Sequence, residues 1–164
     1  MKYFKYDLWR GINSDSEKIL DESLAEWDKN AKAYNEVFES IQNRFSKKFL
    51  KSYLYNERFH DYTIKNIKIN NKDKWGKKPM SIDIVITYRT TTWKITYKNV
   101  VKFSMNYEQW EGDGTCIGFD DWGYDELIPV NKDILSHEIL FVSGATILIY
   151  FKNNKILLSK VNDD

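Results

Sequence analysis

Residues 20–45 read LDESLAEWDKNAKAYNEVFESIQNRF, and the spacing of their apolar side chains decides the first part of the fold. The apolar residues recur in steps of four and three, which places them on one stripe of a helix. The pattern predicts one long helix over residues 15–45, with Ser14 or Ser16 as its N-cap. Burial of the stripe in the core is the favoured interpretation, and a seam between two copies is the alternative. The stripe consists of Leu20, Leu24, Trp27, Ala31, Tyr34, Phe38, Ile41 and Phe45.

A second helix is predicted directly after the first. Ser46 can cap it, since a serine hydroxyl accepts a hydrogen bond from a free N–H of the first turn. The two helices would form a helical hairpin within residues 1–58. The apolar face of the second helix would consist of Phe49, Leu50, Tyr53 and Leu54.

Beyond residue 58 the apolar period changes from the helical period toward two, which is typical of strands. Residues 63–70 are rich in β-branched side chains, with an expected slip at Lys65–Asn66. Residues 82–88 alternate strictly, and a hairpin through Thr90–Thr91 leads into one partner strand over residues 92–103. Three later segments are expected to complete the sheet, namely residues 140–142, 147–151 and 156–161.

Helices that precede all the strands predict an α+β fold, because a parallel sheet needs alternating strands and helices. We therefore expect a single domain over residues 1–164, with a helical part (1–58) and a β-rich part (59–164). The predicted architecture is a long helix or helical hairpin packed on an antiparallel sheet of about six to seven strands. The aromatic helix stripe is the expected cover for the apolar face of that sheet.

The composition excludes a globally basic or acidic partner-binding protein. The 164 residues carry 25 Lys and Arg against 24 Asp and Glu, which gives a net charge of +1. That balance does not favour a protein that coats nucleic acid or a membrane surface. The most apolar stretch, residues 139–151, is too short to span a bilayer. The lone Cys116 and the lack of a signal-peptide pattern predict a cytoplasmic location.

Residue types that bind metals or carry out catalysis are few and dispersed. His60 and His137 are the only histidines and no CxxC pair occurs, so we predict no metal site and no cofactor. His60 and Asp61 are expected to fix a turn between the helices and the strands. A thiol enzyme would need Cys116 beside a histidine, and an inert buried cysteine is the favoured interpretation. We accordingly predict a non-enzymatic protein with no catalytic residues.

The charge layout gives the clearest functional signal. Residues 104–131 contain seven acidic residues and no Lys or Arg, with aromatic residues interleaved among them. Acidic residues steer a basic partner, and Trp and Tyr anchor it. We therefore predict a protein partner with a basic surface. The predicted partner-binding residues are Trp110, Glu111, Asp113, Asp120, Asp121, Trp122, Tyr124, Asp125 and Glu126.

Three alternatives stay open at this point. Residues 44–78 hold eleven Lys and Arg against three acidic residues, so they could contact nucleic-acid phosphates, although few aromatic residues accompany them. The acidic and basic segments could instead pair with each other. A structural oligomer would bury the long-helix stripe between the two protomers of a homodimer.

Several segments carry a resemblance to known proteins. MKYFKYDLW (1–9), EWDKNAKAYNEVFESI (26–41), RFSKKFLKSYL (44–54) and FHDYTIKNIKI (59–69) resemble a family of small uncharacterised bacterial proteins with a helical front, an FHDY-like junction and a β-rich end. DWGYDEL (121–127), EILF (138–141) and TILIYFK (146–152) resemble immunity proteins of bacterial toxin–immunity systems. The second resemblance implies a small cytosolic inhibitor that blocks the active site of a toxin. Neither resemblance implies catalytic residues.

Overall fold

The computed structural model of the chain describes residues 1–71, 79–108 and 118–161. In these residues three α-helices precede eight β-strands, which confirms the α+β class. The helices are α1 (Tyr6–Ile12), α2 (Glu17–Ile41) and α3 (Lys47–Tyr55). Short 3₁₀ turns follow α2 at Gln42–Arg44 and α3 at Glu57–Phe59.

Helix α2 is shorter than the predicted helix at its C-terminal end. It ends at Ile41, and after the 3₁₀ turn Phe45 is extended, with φ −118° and ψ 156°. Ser46 then caps α3, and its hydroxyl accepts a hydrogen bond from the Phe49 N–H at 3.2 Å, which confirms the predicted cap. Ser16 occupies the N-cap position of α2, but its side chain makes no capping hydrogen bond.

The helix stripe packs into the core over its C-terminal half. Tyr34, Phe38 and Ile41 are at most 3% exposed, whereas Leu24 is 40% exposed. The sequence pattern did not indicate helix α1, which packs against α2. Seven residues span barely two helical turns, so α1 shows too little apolar periodicity to be recognised.

The strands form two antiparallel four-stranded sheets, not the single sheet that was predicted. In chain order the strands are β1 (Thr63–Asn70), β2 (Ser81–Tyr88), β3 (Thr91–Lys98), β4 (Val100–Asn106), β5 (Trp122–Pro129), β6 (Ile134–Phe141), β7 (Thr146–Lys152) and β8 (Ile156–Val161). The order is β1-β2-β3-β8 in the first sheet and β4-β7-β6-β5 in the second. The register shift between Ile64 and Asn66 confirms the predicted slip in β1.

A single residue divides the strand predicted over residues 92–103. Asn99 has φ 55°, a left-handed conformation that ends β3, and β4 continues in the other sheet. Asparagine tolerates this conformation better than most residues. An apolar pattern alone does not reveal such a break, because the residues on both sides of it are strand formers.

The buried faces of both sheets and of the helices belong to one apolar cluster. Helix α2 contacts β5, an edge strand of the second sheet, and α3 contacts β8, an edge strand of the first. The segment between α3 and β1 therefore lies where the helices and the two sheets meet. Among the described residues, the helices are too short or too polar to cross a membrane.

Candidate functional site

The nine residues predicted to bind a partner do not share one surface. Trp122, Asp125 and Glu126 are at most 3% exposed. These three side chains therefore lie beneath the surface that a partner protein would contact. Three more lie outside the described residues, namely Trp110, Glu111 and Asp113.

Glu126 binds the N-terminal segment of its own chain. Its Oε1 accepts hydrogen bonds from the backbone N–H groups of Tyr3 and Phe4 at 2.6 and 2.7 Å. Its Oε2 accepts one from the N–H of Lys2 at 2.8 Å. Three backbone donors compensate the loss of water around a buried carboxylate. Glu126 is thus a structural anchor.

Asp125 is the centre of a second buried network. Its Oδ1 accepts a hydrogen bond from the Tyr53 hydroxyl at 2.5 Å, and its Oδ2 lies 2.7 Å from His137 Nε2. His137 Nδ1 in turn lies 2.7 Å from the Tyr97 hydroxyl. Burial, and then the nearby Asp125 charge, raises the pKa of both tyrosines well above the usual value. These tyrosines therefore stay protonated in the folded protein at neutral pH.

The order carboxylate, imidazole, hydroxyl in this network resembles an acid–base relay, but its hydroxyl end is closed. Tyr97 has no exposed surface and His137 is 1% exposed. A catalytic hydroxyl has to reach a substrate, and the Tyr97 hydroxyl lies in the core. The network joins helix α3 to strands of both sheets, so its role is structural.

Trp122 fastens the start of β5 to the segment between α3 and β1. Its ring packs in the core against Phe59 and Phe141. Its carbonyl accepts a hydrogen bond from the Asp61 N–H at 2.9 Å, and its N–H donates to the Tyr62 carbonyl at 2.8 Å. The FHDY segment, residues 59–62, is therefore paired with Trp122 of the acidic segment 104–131.

The backbone of this junction is unusual. Glu57, Arg58 and Phe59 have φ values of 50°, 57° and 63°, and Asp61 has φ 65°. Left-handed conformations are costly for residues other than glycine, and they concentrate at functional positions. The buried ring of Phe59 holds the turn in place. The turn forms a ridge between two recesses. Arg58 borders one recess, and Glu57 and His60 border both.

On one side of the ridge lies a cavity of about 330 Å³, which we call the junction cavity. Seven of its ten lining residues are buried or half-buried. Half of the lining of a larger depression beside α1, of about 620 Å³, is exposed. The junction cavity is lined by Phe4, Trp27, Ala31, Asn35, Glu57, Arg58, His60, Gly123, Tyr124 and Asp125.

On the other side lies a smaller recess of about 270 Å³, which we call the junction groove. Tyrosine rings and carboxylates dominate it, and Tyr55 at its rim is 85% exposed. Glu57 and His60 line both the groove and the cavity. The groove is lined by Tyr55, Asn56, Glu57, His60, Asp61, Tyr62 and Tyr88.

The expectation that His60 fixes a turn agrees with its contacts. Its Nδ1 lies 3.3 Å from the Trp122 carbonyl and 3.4 Å from Asp61 Oδ1. Its ring packs on Tyr124 with a centroid distance of 5.2 Å. These three contacts hold the imidazole on the ridge between the groove and the cavity.

The other three predicted partner-binding residues lie at or near the junction. Asp121 is exposed and forms a bridge with Thr63 of β1. Tyr124 is half-buried in the cavity wall, and burial followed by the Asp61 charge raises its pKa. Asp120 accepts a hydrogen bond from the Ser143 N–H at 3.0 Å, and burial raises its pKa. Among the described acidic residues of the predicted set, Asp121 is therefore the most available to a partner.

The basic segment 44–78 does not form one continuous surface in the described residues. Its lysines on α3 lie near β8, whereas Lys65 and Lys68 lie on β1, and β1 and β8 are opposite edges of one sheet. Arg44 donates hydrogen bonds to Asn153 and to the carbonyls of Asn131 and Ile134. Four lysines lie outside the described residues, namely Lys72, Lys74, Lys77 and Lys78.

The long helix offers little surface for the predicted homodimer. The buried half of its stripe, Tyr34 to Ile41, packs within a single chain. Only its N-terminal half, around Leu24, keeps apolar exposure. A seam along the whole stripe is therefore incompatible with this core, and the oligomeric state stays a prediction.

Comparisons with known proteins leave the site to be interpreted from its own chemistry. No protein-family model matches the chain, and no curated protein matches it. Among the described residues, no group of three or more His, Cys, Asp or Glu side chains is placed to hold a metal ion.

The sequence reasoning missed the residues that shape the junction. Trp27 and Asn35 lie on α2 and Arg58 lies in the turn after α3, and only the fold brings these two elements together. The FHDY segment, at the boundary between the helical and the β-rich parts of the sequence, is the usable signal.

Proposed function

We propose that this protein is a non-enzymatic binding protein that holds a basic protein at the junction groove. The observation that carries the proposal is the make-up of the groove, which combines three tyrosines with the carboxylates of Glu57 and Asp61. Its described lining contains no Lys or Arg. A cationic side chain would find aromatic faces and negative charge together there.

The surroundings of the groove extend this acidic and aromatic character. Asp121 is exposed, and it pairs with Thr63 two residues beyond Asp61. Tyr55 supplies a large exposed ring at the rim, and Tyr side chains are frequent anchors of protein interfaces. The proposed surface thus keeps the predicted chemistry but moves it from residues 110–126 to the junction.

One contact within the protein is a precedent for the proposed binding of a cationic side chain in the groove. The Arg89 guanidinium lies 5.1 Å from the centre of the Tyr88 ring, so a ring of the groove already accepts a guanidinium on one face. A partner Lys or Arg would make the same kind of contact from the groove side, with Glu57 and Asp61 as counter-ions.

The resemblance to immunity proteins makes a bacterial toxin with a basic surface the specific partner class. The protein would then act as an inhibitor that occupies the toxin surface and does no chemistry of its own. The resemblance supports this assignment, and the charge of the groove is consistent with it.

The test is co-expression with a toxin encoded beside this protein's gene. The variant E57Q/D61N/D121N removes three charges around the groove with little change in shape. We expect it to bind the toxin about 10–100-fold more weakly and to lose protection of the cell, because charged groups set the encounter rate and orientation. Affinity is measured by surface plasmon resonance at two salt concentrations.

The matched control is the triple variant D28N/E36Q/E39Q, which removes three exposed charges from α2. It should bind and protect as the wild-type protein does. Protection by the groove variant at unchanged affinity would overturn the proposal, and so would a wild-type protein that neither binds nor protects.

A further inference from the structure

We propose that the junction cavity is a binding site for a small organic monoanion, with a carboxylate held by Arg58 and a flat apolar body packed against Trp27 and Tyr124. This site lies across the ridge from the junction groove. It does not depend on the function proposed for the groove.

Arg58 is the first argument, because its charge has no counter-ion in the described residues. Its guanidinium lies over the rings of Tyr34 and Phe38, 5.2 and 5.1 Å from their centres. Its one hydrogen bond is a long one of 3.3 Å from Nη2 to Asn35 Oδ1. In the described part of the chain no carboxylate lies within 4.0 Å of it.

A half-buried guanidinium with unused donors is well suited to an incoming anion. Removing a cation from water is costly unless an anion or several acceptors replace the lost hydration. A carboxylate matches the planar fork of arginine with two parallel hydrogen bonds. The left-handed backbone at Arg58, with φ 57°, holds the side chain at the cavity despite its conformational cost.

Another part of the cavity wall is aromatic. Trp27 and Tyr124 meet edge to face with centroids 4.6 Å apart, and Phe4 lies 5.0 Å from Trp27 and 5.6 Å from Tyr124. The N–H of Phe4 is fixed by Glu126. A flat apolar group would pack on such a wall with little rearrangement. The volume of about 330 Å³ is at the lower end of the range for ligand cavities and suits a small molecule.

The two acidic residues of the lining decide between classes of anion. Glu57 and Asp125 both border the cavity. Asp125 already accepts hydrogen bonds from Tyr53 and is bonded to His137, so it is not free to pair with Arg58. Two negative charges nearby disfavour a phosphate dianion more than a carboxylate monoanion. The site therefore fits an aromatic carboxylate better than an aromatic phosphate.

The first test compares three probes on the full-length protein by isothermal titration calorimetry and NMR. The probes are benzoate, the neutral benzamide and phenyl phosphate. We expect saturable binding of benzoate, with shifts at the Trp27 indole, and at least about tenfold weaker binding of the other two probes. Equal binding of benzamide would overturn the proposal, and so would the lack of saturation by benzoate up to about 10 mM.

The second test replaces the cation. Arg58→Gln should weaken benzoate binding by at least about tenfold. Arg89→Gln is the matched control, because Arg89 also has a left-handed φ of 53° and lies over a tyrosine ring, yet it does not line the cavity. The control should change affinity by less than about twofold. Near-UV circular dichroism checks that each variant is folded.

Unchanged benzoate affinity in folded Arg58→Gln would overturn the proposal. If that variant does not fold, Arg58→Lys keeps the charge but loses the planar fork, and it should bind benzoate several-fold more weakly than the wild-type protein. The comparison of benzoate with benzamide on the wild-type protein decides the question independently of both variants.

Discussion

At the scale of single residues, the acidic side chains of this protein divide into two kinds. Glu126 and Asp125 are buried and fully engaged in hydrogen bonds, whereas Asp121 is exposed. All three lie within six residues and look alike in the sequence. Asp125 and Glu126 point to opposite faces of β5, and both are buried because groups from distant parts of the chain meet them, whereas Asp121 precedes the strand.

The first prediction concerns Glu126. Glu126→Gln replaces one acceptor oxygen with an NH₂ group that faces a backbone N–H of residues 2–4. Two donors then oppose each other in the core, and we expect a loss of about 2–3 kcal/mol in the free energy of unfolding. Urea denaturation followed by circular dichroism measures it.

The control for this change is Glu36→Gln, on the exposed face of α2. It should change the free energy of unfolding by less than about 0.5 kcal/mol. A Glu126→Gln protein as stable as the wild type would show that the three short hydrogen bonds contribute nothing to stability.

At the scale of elements, α1 is held on α2 by a close contact between small residues. Gly11 is buried, and a Cβ atom at this position would overlap the Ser23 hydroxyl and lie 2.9 Å from Ser23 Cβ. Side chains larger than hydrogen therefore force the two helices apart. The two aromatic residues of α1, Tyr6 and Trp9, stack at 6.0 Å beside this contact.

The second prediction tests that contact. Gly11→Ala should destabilise the protein by about 1–3 kcal/mol, because overpacking at a rigid contact displaces backbone. The double variant G11A/S23G removes the atoms that the new methyl group meets and should recover part of the loss. Urea denaturation of the two variants and of S23G alone gives the coupling free energy. Absence of coupling would mean that the helices adjust freely.

Helices α2 and α3 were predictable because their evidence is local, whereas α1 was too short to be recognised. The four-three spacing identified α2, and a capping serine identified the start of α3. The early end of α2 and the strand β5 were not predictable in this way. Strand β5 carries buried acidic residues where a strand pattern expects apolar ones, and only the hydrogen bonds made after folding justify them.

At the scale of the whole molecule, buried tyrosines set a limit at alkaline pH. Burial raises the pKa of Tyr34, Tyr53 and Tyr97 above the usual value of 10.0. The unfolded chain releases these protons near pH 10, while the folded protein retains them. The stabilising contribution is therefore complete below about pH 10 and is lost as the pH rises toward the folded-state pKa values.

The third prediction follows from this loss of stability at alkaline pH. Above about pH 10, each of the three tyrosines should lower the free energy of unfolding by up to about 1.4 kcal/mol per pH unit. We expect cooperative unfolding within about two pH units, given a typical stability of 5–15 kcal/mol. Absorbance at 295 nm should then show that part of the tyrosine ionisation occurs at the same pH as the unfolding, which circular dichroism follows. Complete ionisation in a protein with native circular dichroism would contradict this.

The division of the chain into helices followed by strands was predictable from period alone, and so was the α+β class. The division of the strands into two sheets was not, because it depends on one left-handed residue, Asn99. The candidate site was predictable only in its chemical character. The positions of the site residues depend on the pairing of residues 61–63 with residues 121–122. No spacing in the sequence encodes that pairing.

The hydrogen bonds between Glu126 and residues 2–4 have a consequence for synthesis on the ribosome. The partners are 122 to 124 positions apart. At about 5–20 residues per second, the first aromatic residues emerge roughly 6–25 s before their acceptor is made. During that interval the backbone N–H groups of Tyr3 and Phe4 lack their native acceptor. Residues 2–4 are therefore exposed to chaperones and proteases until Glu126 has been made.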